Sequence, residues 1–76
     1  MSEFRVTVCS LPDYEDLVAE IYIGDEFVAL LSQERGPDAM AVEIAPRRTP
    51  FTTDLSTFEE AMSHAKKRLW ELRKGS

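Results

Sequence analysis

At 76 residues, 43% of them hydrophobic and 30% charged, the chain has room for one small core and no second domain. That composition excludes a disordered or membrane-embedded chain, and no apolar run approaches the roughly 18 to 20 residues of a transmembrane helix. The net charge of −5 is split: ten acidic and two basic residues give −8 over residues 1–45, and four acidic and seven basic give +3 over residues 46–76. The acidic part disfavours direct binding to nucleic-acid phosphates and weakly favours a basic protein partner.

Residues 4–9, Phe-Arg-Val-Thr-Val-Cys, alternate large apolar with polar or small side chains, which predicts a half-buried strand with Phe4, Val6 and Val8 facing the core. Pro12 and its charged neighbours then end the strand, so residues 11–16 read as a solvated loop carrying Asp13, Glu15, Asp16 and Tyr14. Two runs rich in apolar and β-branched residues follow across residues 17–34, separated by Gly24-Asp25. This is the signature of a β-hairpin, with Gly24 suited to the positive φ of a type II′ turn.

The hairpin register decides what each face carries. A two-residue loop pairs Ile23 with Glu26, Tyr22 with Phe27, Ile21 with Val28, Glu20 with Ala29 and Ala19 with Leu30. Leu17, Ala19, Ile21, Val28 and Leu30 then form the core face, and Val18, Glu20, Tyr22, Phe27, Ala29 and Leu31 the other. A three-residue loop instead places Phe27, Ala29 and Leu31 beside Ile23, Ile21 and Ala19, because a one-residue slip moves side chains to the opposite face. The sequence leaves both registers open.

Arg35-Gly36-Pro37-Asp38 is a second turn signal, and residues 40–45 alternate so that Met40, Val42 and Ile44 share one side of a short edge strand. Residues 46–54 contain two prolines and no periodicity, and read as an irregular crossing tethered by Phe51. A helix follows. Ser56-Thr57-Phe58-Glu59 fits a capping box, and Leu55, Phe58, Ala61, Met62, Ala65, Leu69 and Leu72 fall in one stripe that must cover the sheet. Trp70 lies off the stripe, beside Lys66, as a rim residue under a lysine stem or an anchor for a partner. Gly75 is expected to end the helix.

The predicted architecture is α+β: one domain over residues 1–76, with a four-stranded antiparallel meander (β-β-β-β-α) and the C-terminal helix across one face.

Chemistry is sparse. Cys9 is the only cysteine and His64 the only histidine. Nothing in their spacing brings them together as nucleophile and base, so they read as a small strand-end residue and a solvated helix residue. One cysteine also leaves no disulfide or thiolate cluster, which fits a reducing compartment, and Met1-Ser2-Glu3-Phe4 lacks the order of a secretion signal. The expected location is cytoplasmic.

Asp13, Glu15 and Asp16 lack the spacing of a calcium loop. With Glu20, Asp25, Glu26 and Glu34 they could instead imitate a row of phosphates toward a basic protein. Arg47-Arg48-Thr49-Pro50 could clamp a phosphate, or be a loop whose arginines pair with carboxylates. The glycines are too scattered for a nucleotide loop. No cofactor, metal, membrane or small-molecule ligand is expected.

Several of these segments together resemble a known group. Glu20-Ile21-Tyr22, Phe27-Val28-Ala29, Ser32-Gln33-Glu34, the later Glu43 and a terminal helix with Phe58, Ala61, Ala65 and Leu69 are similar to small bacterial proteins of uncharacterised activity. Those are built as a strand meander followed by one helix. The resemblance implies a bacterial origin and the fold, and assigns no site.

The functional expectation is a non-enzymatic protein-interaction module, meeting a protein partner or a second copy through the face carrying Val18, Tyr22, Phe27 and Leu31, with Asp13, Glu15 and Asp16 as a second contact. A competing reading keeps that face covered by charged stems, Tyr14 or Phe51. An alternative function is an acidic inhibitor of the immunity or phage-counterdefence type, blocking a basic nucleic-acid-handling protein. A small enzyme is the third.

Overall fold

The computed structural model describes residues 3–36 and 38–74. Four strands, β1 (Phe4–Cys9), β2 (Val18–Ile23), β3 (Glu26–Ser32) and β4 (Ala41–Ile44), form one antiparallel sheet in the order β1-β2-β3-β4, followed by helix α1 (Leu55–Lys74). This is the expected α+β meander. Its edge strands are β1 and β4. Gly75 and Pro37, parts of the expected helix stop and second turn, lie outside the described residues.

Local chemistry explains the joints. Gly24 takes a φ of 62° and no non-glycine residue among those described has a positive φ, so only the first central position of the Gly24-Asp25 turn is left-handed, as in type II′. Around Gly36, whose φ is 105°, Gly36 N–H donates to the Gln33 carbonyl and Ala39 N–H to the Gly36 carbonyl, at 3.0 and 3.2 Å. These successive turns reverse the chain between β3 and β4.

The hairpin contains a feature that neither register anticipates. Ile23 pairs with Glu26 and Tyr22 with Phe27, as a two-residue loop requires, but Ile21 pairs with Ala29, Glu20 with Leu30 and Ala19 with Leu31. Val28 is the extra residue of a β-bulge, and beyond it the strand follows the other register. The face assignment is corrected accordingly. Ala29 and Leu31 join Ala19, Ile21, Ile23 and Val28 in the core, and Leu30 moves to the opposite face. The bulge reconciles a tight turn with burial, since an unbroken two-residue register would have turned Leu31 away from the helix.

The helix start is also corrected. Phe58 N–H donates to the Asp54 carbonyl at 3.1 Å, and Leu55 is already helical. Asp54 therefore holds the N-cap place and Ser56 lies in the first turn, so the expected box of Ser56 and Glu59 does not form. Aspartate caps as well as serine, and the earlier start lets Thr57 become buried. Ala61, Ala65 and Leu69 are fully buried, with Phe58 and Met62 partly buried beside them; Leu55 and Leu72, the ends of the predicted stripe, are exposed.

α1 packs on β1 and β2. Val28, Ala29 and Leu31 of β3 are buried in the same core as Ala61, Ala65 and Leu69, whereas β4 is exposed along its length. The consequence lies at β4, whose helix-side residues Val42 and Ile44 stay exposed beside α1.

A candidate docking slot between the helix and the edge strand

Beside its core stripe, α1 carries a second row: Leu55, Phe58, Met62, Lys66 and Trp70, spaced by three and four residues and thus stacked along one flank. That flank faces β4. One open cavity of about 430 Å³ is lined by Leu55 and Phe58 from the helix, Val28 and Ile44 from the sheet, and Phe51 from the crossing. A second, of about 460 Å³, is lined by Lys66, Lys67 and Trp70 with Met40 and Asp38. Met62 and Leu31 line the space beside it. One helical turn separates Phe58 from Met62, and Val42 stands between Met40 and Ile44 on the strand, so these openings are parts of one slot running along α1.

The walls of the slot are wet. The exposed large apolar residues among those described are Phe27, Val42, Ile44, Leu55, Trp70 and Leu72, and three of them, Ile44, Leu55 and Trp70, line the slot. Leu55 is 71% exposed, Ile44 60% and Trp70 51%. Burial would be favourable for each, by roughly 25 cal/mol per Å² of apolar surface removed from water.

The end of the slot is fixed by Arg47. Its guanidinium lies 4.8 Å from the Phe51 ring centroid and pairs with the Glu26 carboxylate, so the irregular crossing is held against the hairpin. Arg47 is thus one of the arginines that pairs with a carboxylate. The charged residues lining the two cavities are Arg47, Lys66 and Lys67 against Asp38, a local excess of positive charge on a chain of net charge −5.

The opposite face of the sheet is better covered. Val18 and Leu30 are buried there, outside the core cluster under the helix. The loop between β1 and β2 folds back toward this face: Tyr14 Oη donates to Glu43 Oε1 at 3.1 Å, and Glu43 is the ladder partner of Leu30. Both oxygens of Glu34 hold the loop's other limb, accepting from the Glu15 and Asp16 amides at 2.8 and 3.0 Å. Those two amides draw the Glu34 carboxyl below the usual glutamate range. Gln33 Nε2 donates to the Leu17 carbonyl at 3.0 Å and fixes the loop's end.

Tyr22 and Phe27 do share this face. Their ring centroids are 5.4 Å apart, and the Arg5 guanidinium sits 4.5 Å from the Tyr22 centroid. Phe27 is the partly exposed member at 37%. Of the residues expected to make contact here, Val18 is fully buried and Leu31 lies in the core on the other side, so the outer apolar surface narrows to Tyr22 and Phe27. Asp13, Glu15 and Asp16 remain exposed on the loop.

Cys9 and His64 are kept apart by the sheet. Cys9 pairs with Val18 on the outer face, where burial and then the Glu20 carboxylate push its thiol up. His64 projects from α1 with its ring edge-on to Phe4, centroids 5.7 Å apart. Among the described residues no group of three or more His, Cys, Asp or Glu side chains converges to hold a metal, and no helix is long and apolar enough to cross a membrane.

Comparison of the chain with protein-family models, with curated proteins and with solved structures found no match. The slot was the feature that sequence reasoning missed. Its signal is present in the spacing of Leu55, Met62, Lys66 and Trp70 and in the alternation of Val42 and Ile44, but the sequence reading puts Leu55 and Met62 in the core stripe, Trp70 beside Lys66 as a rim residue or partner anchor, and Val42 and Ile44 in an ordinary edge strand.

Proposed function

We propose that this chain is a non-enzymatic protein-interaction module that holds a protein partner in the slot between α1 and β4. One observation supports the reading: three of the six exposed large apolar side chains, Ile44, Leu55 and Trp70, line the cavities between α1 and β4. The raised Cys9 thiol and its separation from His64 weigh against the enzyme reading. The single cysteine supports a reducing setting such as the cytoplasm, and the resemblance to small bacterial proteins makes a bacterial cell the place to test it.

A photo-crosslinking side chain placed at Ile44 or Leu55, compared with Phe27 and with Asp13 in the same cells, provides the test. Discrete protein adducts from Ile44 and Leu55 are expected, with few from the other two sites. Adducts confined to Phe27 would move the contact to the outer face. Adducts confined to Asp13 would favour an acidic inhibitor instead.

A further inference from the structure

We infer that the occupant of the slot is an amphipathic helix of a partner protein, with acidic residues flanking its apolar stripe. This rests on the interaction reading above and adds the chemistry of the partner.

Shape supplies the first argument. α1 closes the core over β1, β2 and the helix-side residues of β3, and the open cavities lie between its flank and β4, where an occupant rests on the α1 flank and on Ile44 together. From Leu55 to Trp70 the slot flank extends about 22 Å at 1.5 Å per residue, the length of about four helical turns. The flank residues Phe58, Met62, Lys66 and Trp70 stand four apart and form a ridge against which the ridges of a second helix can interdigitate.

A strand fits less well. Added at the β4 edge it would lie in the plane of the sheet, alongside Val42 and Ile44. It would leave Leu55 and Trp70, which stand at the level of the helix, in water. An occupant that covers both walls must rise above the sheet.

Charge supplies the second argument. Lys66 and Lys67 border the Trp70 end of the slot with Asp38 as the acidic counterpart, and Arg47 borders the other end, already paired with Glu26. Acidic flanks on an incoming helix would meet the two lysines. A second copy of this chain is a poorer occupant. The face of α1 turned away from its own sheet carries Ser56, Glu60, Ser63, Lys67 and Glu71, with no apolar stripe to offer.

Trp70 is the only tryptophan and lines the slot, so it reports occupancy directly. The probe is a tryptophan-free synthetic helix of about 16 residues with leucines at i, i+3, i+4 and i+7 and glutamates on its flanks. Its titration should shift Trp70 emission to the blue and saturate. Affinity should fall severalfold from low to high salt, and by about tenfold or more for a peptide with lysine flanks. Ile44→Glu and Leu55→Glu, both at exposed positions, should weaken binding by about tenfold with the far-UV circular dichroism unchanged.

No response to the glutamate peptide, equal response to the lysine peptide, or an equal response to an alternating valine-threonine strand peptide would overturn the inference. So would a concentration-dependent dimer by light scattering whose formation shifts Trp70, because the second copy would then fill the slot. Adducts from Ile44 and Leu55 alongside a silent peptide titration would retain the interaction reading and remove the acidic helix.

Discussion

Gly24 has a φ of 62°, and no atom lies within 4 Å of the position a Cβ would take. A side chain there meets backbone strain and no clash. Gly24→Ala should cost about 1–2 kcal/mol, seen as a lower urea midpoint with an unchanged slope. Glu34 makes a different prediction. Its folded carboxyl is drawn below the ordinary value of 4.5, so the stability it contributes is present above that value and fades as pH falls through the lower folded one. The gap in stability between the wild type and Glu34→Gln should therefore be widest near neutral pH and close on acidification below 4.5, as followed by urea unfolding across pH. At Cys9 the shift runs upward. Its alkylation by iodoacetamide at neutral pH should be slower than that of an unstructured peptide cysteine, and mass spectrometry over time would detect the opposite result.

Individual elements were readable where one physical signal dominated. β1 follows its alternation from Phe4 to Cys9, and the Gly24-Asp25 turn follows from glycine's freedom at positive φ. The bulge at Val28 was not readable, because turn geometry and burial of Leu31 demand different registers and the extra residue satisfies both. The helix start is hard to read for a different reason: Asp54 and Ser56 are equally good caps by residue type, and it is the hydrogen bond from Phe58 N–H to the Asp54 carbonyl that places the cap at Asp54. Two substitutions separate these caps. Asp54→Ala should destabilise the protein by about 1 kcal/mol, whereas Ser56→Ala should be within about 0.5 kcal/mol of wild type, since alanine suits a helix interior. Equal losses in thermal unfolding would return the cap to Ser56.

Across the whole molecule, the layer arrangement followed from composition and order, but the lateral placement of α1 did not. One helix and four strands are legible in the sequence, but not which edge strand the helix leaves open; that choice sets the slot. It also separates apolar residues that look alike in sequence. Ile21, fully buried, should lose about 2–5 kcal/mol on substitution by alanine, while Ile44, 60% exposed, should change stability by less than about 0.5 kcal/mol on substitution by threonine. Denaturant unfolding of both variants checks the contrast. Comparable losses would mean that Ile44 is packed.

The contact of α1 with β1 and β2 has one more consequence, for the order in which the protein is made. Each strand pairs with its immediate neighbour in sequence, so the meander can grow as the chain leaves the ribosome. The side chains of Phe4, Val6 and Val8 emerge first, yet the helix that shelters them is made last. Throughout synthesis of residues 10–54 the nascent sheet presents a greasy underside, and this interval is when chaperone binding or misassociation on the ribosome has its opening.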